Sequence, residues 1–484
     1  MGFKKSTMNK YIYVVFTIIS LGLVSCEKIL DKDPVDKLSL EDLFKDVNGA
    51  KTALSGAYRN LLSTELYHEN LMIYPDLIAG NLKYSKTINI HLNDIYSLTQ
   101  IANSSSLNTT YAKLYDQLNN VNNIIKYTPT AGGLTTEKNR ILAEAKCLRA
   151  FAHFDLLRVF AKPYNFTSNA THLGIAINLK PQLLFDPSPV RLTVAESYEA
   201  IINDLTEAII LFDSSAPIFS KGAVQTYFSK NTAKALLAKV YLYANNYTKA
   251  FELSDDVIKS GGYTLLSNSL YVNSWTGRTP STESIFELAL ETEFSGNSVG
   301  SYYDAANIGG YRMFAATNDL LNLYSNTDVR GNPSLFTNVI ISGVPYFFTK
   351  KYTAGSTLAT PVKALRLSEI YLIRAEASAE KASPDFAQAN SDLNIIMKRA
   401  DPSAVTANYS NKTDLVNAIL LERRKELAFE GNLFFDLMRK GKDISRNDCN
   451  ASNCSLLNSD FRLVMPLPSE TVNSNRNMVQ NQGY

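Results

Sequence analysis

The segment NRILAEAKCLRAFAHFDLLRVFA, residues 139–161, constrains the fold more than any other stretch of the chain. Its apolar residues recur every three or four positions from Ile141 to Val159, which is the spacing of one face of an α-helix. Phe151 and Phe154 add a second apolar face to the same helix. A helix that is apolar on two sides must pack between neighbours, so this segment predicts the interior of a helical stack.

Three stretches predict pairs of antiparallel helices. Residues 231–260 turn at Asn245-Asn246, 366–380 precede 384–399, and 111–127 precede 139–161. In the first pair, the large, small, aromatic and small positions of a tetratricopeptide (TPR) repeat are filled by Leu237, Ala238, Tyr241 and Ala250. One such match is weak, but repetition of the layout favours a TPR-like scaffold over an unrelated bundle. We therefore predict a mostly α fold built on a TPR-like helical repeat.

Two further helices are predicted outside these pairs. Residues 39–62 open with Ser39, an N-cap candidate, and Asp42 follows three residues later as the acidic partner of a capping-box-like start. Residues 192–212 form the second. Most of the chain is thus expected to be helical.

Two long segments interrupt the helical pattern. Residues 65–110 and 262–362 are rich in Gly, Asn, Ser, Thr and Tyr, with only short strand-like runs such as 284–290 and 344–352. Long irregular segments in a compact protein are usually functional or disordered, and these carry too many aromatic residues for disorder. We expect them to be ordered and functional.

The charge of the chain argues against nucleic-acid binding. The 484 residues carry a formal net charge of +2, and 45% of them are hydrophobic, which is ample for a large core. Lys4, Lys5 and Lys10 all belong to the N-terminal segment, so the remaining chain is close to neutral. Without a basic field or a Lys/Arg block, binding to nucleic acid is disfavoured.

The N-terminus has the organisation of a bacterial lipoprotein signal. Its basic start is followed by the uncharged apolar run 11–23, which is too short to span a bilayer. Leu23-Val24-Ser25-Cys26 fits the lipobox, in which the cysteine becomes the acylated first residue of the mature chain. More than one lipid chain, palmitate among them, would anchor the protein stably. We predict a signal peptide over 1–25 and a membrane anchor at Cys26, with an ordinary signal peptide as the alternative.

The other three cysteines have simpler interpretations. Cys147 lies in an apolar helical pattern and is expected to be buried. Cys449 and Cys454 enclose a polar loop, where we expect a local disulfide outside the cytoplasm; a metal pair is the alternative, although C-x4-C without a nearby histidine is poor zinc spacing.

A search for catalytic motifs gives no convincing enzyme. The four histidines form no HExxH or other metal-ligand spacing, and Walker and GxGxxG motifs do not occur. His68 could serve as a general base, but a lone loop histidine is more often a surface or binding residue. Residues 420–441 align Glu422, Glu426 and Glu430 at helical spacing beside arginines, which we interpret as an ion-paired scaffold helix rather than a glycosidase carboxylate pair. No metal or cofactor is predicted.

Five segments together resemble the SusD/RagB family, the surface lipoproteins of Bacteroidetes nutrient-uptake systems. They are RILAEAKCLRAFAHFDLLRVF (140–160), ATNDLLNLYSNTDVRG (316–331), RLSEIYLIRAEA (366–377), LLERRKELAFEGNLFFDLMRKG (420–441) and LVMPLPSETVNSNRNMVQNQGY (463–484). The matches run in the family's order over nearly the whole chain. Ala316 stands where the family usually has proline, and Leu433 replaces a customary arginine, which affects a local ion pair more than the fold.

This resemblance implies an architecture, a location and a partner. The scaffold would be TPR-like, with an irregular lobe that binds ligand. The protein would sit on the outer membrane by its lipid and cover a SusC-like TonB-dependent barrel as a lid. It would capture an oligosaccharide, or a peptide in RagB-like members, and deliver it to the barrel without breaking a bond.

The resemblance also suggests a division of the chain. A signal peptide at 1–25 is followed by a lipidated tether at 26–38. An N-terminal helical region at 39–225 contains a binding loop at 65–110, and a C-terminal region at 226–484 contains an irregular lobe at 262–362.

Ligand-binding residues are expected in these two irregular parts, because sugar rings lie on aromatic faces while amides and carboxylates bind their hydroxyl groups. The candidates are Tyr67, Tyr74, Asp76, Asn81, Tyr84, Trp275, Tyr302, Tyr303, Asp304, Tyr311 and Arg312. Tyrosines such as Tyr74 and Tyr311 could equally pack beneath the loops, whereas Trp275 is expected to be exposed. A peptide-binding lipoprotein, a secreted glycoside hydrolase and a TPR adaptor for protein partners remain the alternatives.

Overall fold

The computed structural model describes residues 39–85, 91–183, 186–219, 222–277, 279–289, 298–305, 312–352 and 360–484. The predicted signal peptide, Cys26, the tether up to residue 38 and Tyr311 lie outside these residues.

Helices dominate the described part of the chain. In chain order they are α1 Leu40–Leu43, α2 Val47–Asn60, α3 Asn70–Ala79, α4 Asn93–Ser97, α5 Asn108–Tyr127, α6 Thr135–Phe160, α7 Val194–Asp213, α8 Lys230–Tyr243, α9 Tyr247–Ser260, α10 Asn268–Tyr271, α11 Val299–Tyr303, α12 Asn318–Leu321, α13 Leu367–Glu380, α14 Phe386–Ala400, α15 Lys412–Glu426, α16 Leu433–Arg439 and α17 Ser469–Ser474. The strands are β1 Leu82–Tyr84, β2 Ser284–Leu288, β3 Phe314–Ala316, β4 Phe336–Ile341, β5 Val344–Thr349, β6 Val362–Arg366, β7 Ile444–Ser445 and β8 Ser455–Leu456.

The long helices pack as a row. α5 packs on α6, α6 on α7, α7 on α8 and α8 on α9, and the row continues from α9 to α13 and α14. Each predicted pair is present, including α8 and α9 with their turn at 244–246. The mostly α, TPR-like fold predicted from the sequence is therefore confirmed.

Helix α6 lies inside this row, as its two apolar faces predict. Its phenylalanines Phe151 and Phe154 are buried, and Cys147 is buried with them. A polar contact also fixes α6: the Arg149 guanidinium contacts both carboxylate oxygens of Asp204 on α7, at 2.7 and 2.6 Å. Such a bidentate pair fixes the orientation of two helices more strictly than apolar contact alone.

The prediction of one continuous helix over 39–62 is wrong, because two helices cover this range. Ser39 does cap α1, since its side chain accepts a hydrogen bond from the Asp42 N–H. The chain then leaves the helix, and Asp46 caps α2 by accepting hydrogen bonds from Asn48 and Gly49. A second capping residue inside the sequence restarts the helix, which propensity alone does not reveal.

The carboxylate-rich segment 420–441 is likewise two helices. α15 ends at Glu426 and α16 begins at Leu433, and between them Phe429 and Gly431 have positive φ angles. A Cβ atom at Gly431 would stand 2.5 Å from the carbonyl oxygen of Leu71. This close approach of two backbones requires glycine and rules out a continuous helix.

Strands from the two irregular segments form one sheet. β1 pairs antiparallel with β3, β3 with β5 and β5 with β4, so the strand order is β1-β3-β5-β4. β2 pairs with β6, and β7 pairs with β8. The strand-like runs predicted at 284–290 and 344–352 correspond to β2 and β5. The sheet therefore brings residues near 85 together with residues near 313, far apart in sequence.

One hydrophobic cluster runs through both halves of the chain, from Phe44 to Met478. The sulfur atoms of Cys449 and Cys454 are bonded to each other. Within the described residues, none of the helices has both the length and the apolar character needed to cross a bilayer.

Candidate functional site

A polar cleft opens where the first irregular segment folds over α3 and α5. The cleft has a volume of about 600 Å³. We name it the lobe cleft, and it is lined by Thr64, Glu65, Glu69, Asn70, His91, Leu92, Asn93, Asp94, Ser104, Ser106 and Thr109. Carboxylates, amides and hydroxyl groups make up most of this lining, and no tyrosine, phenylalanine or tryptophan belongs to it among the described residues.

Glu69 and His91 form the best-defined pair in the lobe cleft. The Glu69 carboxylate is buried, accepts a hydrogen bond from the Tyr302 hydroxyl at 2.5 Å and lies 2.9 Å from His91 Nδ1. The Tyr302 ring contacts the His91 ring edge-on. The hydrogen bond to Glu69 raises the pKa of His91 above its ordinary value of 6.5, although partial burial opposes the shift.

Replacing Glu69 by Gln is expected to lower the pKa of His91 back towards about 6.5, because the carboxylate that favours the imidazolium is gone. In the unmodified protein the His91–Glu69 pair stabilises the cleft below pH 6.5, and this contribution is lost as the pH rises through the raised pKa of His91. NMR titration of the histidine ring resonances measures the shift. His172 is the internal control, and an unchanged His91 pKa in the variant would contradict the pairing.

Asp94 holds the segment around Ser106 in place beside the lobe cleft. Its carboxylate accepts a hydrogen bond from the Ser106 N–H at 2.9 Å and another from the Ser106 hydroxyl. By contrast, the side chains of Glu65 and Ser104 make no hydrogen bond to the described residues. The cleft thus combines groups that hold its shape with groups free to bind a polar ligand.

The candidate ligand residues of the first segment lie in the core instead of in the cleft. Tyr67 donates to the Asp155 carboxylate at 2.7 Å, and Tyr74 is enclosed by phenylalanine rings. Tyr84 is buried, and its hydroxyl donates to the His91 carbonyl. Tyr84 therefore supports the cleft from behind, and the structure does not place these three rings where a ligand could lie on them.

Asp76 and Asn81 have a structural position beneath the lobe. The buried Asp76 carboxylate accepts hydrogen bonds from the Asn81 amide at 2.6 Å and from the N–H groups of Phe429 and Gly431. Burial raises the pKa of Asp76 to about 6, while these hydrogen bonds oppose the increase. The two residues join the first irregular segment to the loop between α15 and α16.

The candidates of the second segment are buried too. Tyr303 stacks on Tyr352, and Asp304 is 3% exposed. Arg312 is half-buried with a positive φ angle, and its carbonyl accepts a hydrogen bond from Ser85. Of this group, Tyr302 contacts two residues that line the lobe cleft, Glu69 and His91.

The expected exposure of Trp275 is wrong. Its side chain is 5% exposed, and three cations lie over its ring, with Lys351 at 4.7 Å, Lys363 at 5.0 Å and Arg366 at 5.6 Å from the ring centroid. The negative face of the ring attracts these buried cations. Trp275 supports the interior of the lobe and is closed to a ligand.

A buried ion network holds the lobe on the helical scaffold. Arg330 contacts Asp328 at 2.8 Å, Glu422 at 2.6 Å and Glu426 at 2.9 Å. Further pairs extend it, with Arg366 on Glu283, Glu426 and Glu430, Arg399 on Glu283 and Glu426, and Lys351 on Glu430. The interpretation of the glutamates as an ion-paired scaffold agrees with this geometry, although Glu430 lies beyond the end of α15.

Glu69, His91, Asn93 and Asp94 were not singled out from the sequence as ligand residues. The histidine considered as a general base, His68, is fully buried. Nothing in the spacing of Glu69 and His91 indicates that they meet, since 22 residues separate them and their contact depends on the lobe's tertiary packing. In the described residues no group of histidines, cysteines and carboxylates could hold a metal ion.

A row of TPR-like helix pairs with an inserted polar lobe defines the class of this protein, and comparisons with known proteins specify the family. A profile described as SusD family matches residues 317–484, and one described as "Starch-binding associating with outer membrane" matches residues 39–242. The chain belongs to the SusD/RagB family.

Relatives match over the length of the chain. A SusD-like protein of Formosa agariphila is 26% identical over 99% of this chain and 100% of its own. A SusD superfamily protein of Bacteroides vulgatus is 27% identical, with a TM-score of 0.80 over 91% of this chain and 100% of its own. A second protein of that organism, provisionally described as sugar binding, is 26% identical, with a TM-score of 0.78 over 91% of this chain and 99% of its own.

Proposed function

We propose that this protein binds oligosaccharide in the lobe cleft and delivers it to a SusC-like TonB-dependent barrel of the outer membrane, acting as the lid of the barrel without catalysis. The observation that carries the proposal is a polar cleft in the lobe of a SusD/RagB fold, lined by carboxylate, amide and hydroxyl groups. The starch-binding description of the matching profile and the sugar-binding relative support this ligand class.

The N-terminal sequence supports the proposed location. A basic start, a short apolar run and the lipobox ending at Cys26 are the parts that lipoprotein export requires. Lipid chains on Cys26 would hold the protein at the outer membrane, exposed on the cell surface beside its barrel. No cofactor, metal or nucleic acid takes part in the proposed function.

Peptide is the second candidate ligand. The lining of the lobe cleft offers carboxylates and amides, which also bind peptide backbone and basic side chains, and the predicted aromatic residues of the described lobe are buried. A glycan is favoured because the family profile and the relative both name carbohydrate. Peptide binding would keep the same architecture and the same barrel.

Calorimetry on the mature lipoprotein in detergent tests the proposed function. We expect neutral oligosaccharides to bind and the Glu65→Ala, Asn93→Ala double variant to weaken binding by about tenfold or more, because each residue supplies a polar contact of about 1 kcal/mol. Both residues are at the surface of the cleft, so the fold should persist.

The matched control is the Glu252→Ala, Asn326→Ala double variant, which removes the same residue types from exposed positions elsewhere. It should bind like the unmodified protein. If the protein binds peptides and no oligosaccharide, the proposed carbohydrate ligand is wrong and peptide takes its place. Release of shortened saccharides would overturn the non-catalytic role. Failure to co-purify with an outer-membrane barrel would contradict the lid.

A further inference from the structure

A second cavity, of about 950 Å³, lies outside the lobe cleft. Its walls are the first half of α5, parts of the segment between α6 and α7, and the C-terminal segment around α17. We name it the α5 groove, and the residues that define it are Tyr111, Tyr115, Asp116, Gln182, Glu470 and Met478. Its volume falls at the upper end of the range for small-molecule sites, which is about 300–1,000 Å³.

The floor of the α5 groove is apolar and fixed. The rings of Tyr111 and Tyr115 lie 4.7 Å apart, and the Tyr115 hydroxyl donates to the Ala176 carbonyl at 3.0 Å. Tyr111 and Met478 are buried beneath the opening. Because the Tyr115 hydroxyl is already bonded and its side chain is only partly buried, the Tyr115 ring offers carbon surface to the groove, and a sugar presents C–H groups to such a surface.

The rim of the α5 groove carries polar groups without partners. The side chains of Asn103, Asp116, Gln182 and Glu470 are exposed and make no hydrogen bond to any described residue. The Asn108 amide oxygen is buried in the lining and has no hydrogen-bond partner. A buried acceptor without a donor is destabilising, and the hydroxyl group of a ligand would supply that donor.

The charge of the lining selects the class of ligand. Asp116, Asp186 and Glu470 contribute carboxylates, and no lysine or arginine is among the described residues that line the α5 groove. An anionic ligand such as a phosphate or a uronic-acid chain would be repelled. A neutral ligand with many hydroxyl groups finds both acceptors and donors there, together with the apolar floor.

We propose that the α5 groove is a second carbohydrate site, which takes a neutral oligosaccharide independently of the lobe cleft. The inference rests on the proposed function for its ligand class. Thr109 lines both cavities, so the two sites are neighbours on either side of this residue. A chain long enough to occupy both would bind more tightly than a short one, because its second contact is intramolecular.

Calorimetry with short and long neutral oligosaccharides of glucose, xylose and mannose tests the proposal on the mature lipoprotein. With a short ligand that binds, the unmodified protein should take up two molecules per chain. The Asp116→Ala, Gln182→Ala variant should keep one, and the Glu65→Ala, Asn93→Ala variant should also keep one. The long ligand should bind at least tenfold more tightly than the short one only when both sites are intact.

The outcomes separate the two sites. One molecule per chain, lost in the cleft variant and unaffected in the groove variant, would overturn the second site and leave the proposed function standing. One molecule per chain, lost in the groove variant and unaffected in the cleft variant, would support the α5 groove and overturn the lobe cleft as the binding site. A groove variant that binds oligosaccharide normally but no longer co-purifies with an outer-membrane barrel would also overturn the proposal, since the groove would then be a protein interface.

Discussion

Replacing Arg330 by Met is expected to lower the free energy of unfolding by about 3–5 kcal/mol, because removing one partner of a buried ion cluster leaves the others uncompensated. The guanidinium is fully buried and contacts Asp328, Glu422 and Glu426. Coulomb attraction to these carboxylates holds the pKa of Arg330 well above its ordinary value despite burial. Without Arg330, Asp328 and Glu422 would keep only Lys425, at 3.4 and 3.3 Å, and would have to protonate or open the lobe to water. Glu426 would keep Arg366 and Arg399.

Denaturant unfolding followed by circular dichroism measures this loss. The matched control is Lys249→Ala, which removes the exposed partner of Glu252 and should change the free energy of unfolding by less than about 1 kcal/mol. If Arg330→Met is no more destabilising than the control, the network does not hold the lobe on the scaffold.

The Glu376→Gln variant is expected to lose about 3 kcal/mol of stability near neutral pH. Glu376 is buried against both Nη atoms of Arg439, and this contact, with Lys440 beside it, holds the pKa of Glu376 at about 2 against an ordinary 4.5. Each pKa unit corresponds to about 1.4 kcal/mol. Because the pKa is depressed, the stabilisation is present above pH 4.5 and is lost as the pH falls from there towards 2.

Unfolding measured from neutral pH down to about pH 3 distinguishes this effect from a packing defect. The unmodified protein should lose stability more steeply below pH 4.5 than Glu376→Gln, so the two curves should converge in acid. Asp76 affects stability in a different pH range. Because its pKa is raised to about 6, its charged form lowers the free energy of unfolding above that pH, and acidification relieves this cost. Parallel curves for the two proteins would contradict a depressed pKa at Glu376.

The helical scaffold could be predicted because its signals are local. The apolar spacing in 139–161 corresponds to α6, and the turn at Asn245-Asn246 separates α8 from α9 as expected. Helix α3 was missed because Pro75 lies within it and its residues are buried on all sides, so that no amphipathic pattern marks it. Gly431 packs against the Leu71 carbonyl of α3, and this contact joins residues 360 positions apart in the sequence.

The candidate site could be predicted by region but not by residue. The two irregular segments do meet, through the pairing of β1 with β3. Aromatic enrichment, however, does not distinguish a ligand platform from the core of a loop-rich lobe, and Trp275 lies in that core beneath three cations. The Glu69–His91 pair depends on tertiary packing, which no spacing in the sequence records.

A crystal structure of the mature chain with a neutral oligosaccharide tests the proposed function most directly. The expected result is an intact saccharide in the lobe cleft, within hydrogen-bonding distance of Glu65 or Asn93. An empty cleft at saturating ligand, or a shortened saccharide in it, would contradict binding without catalysis.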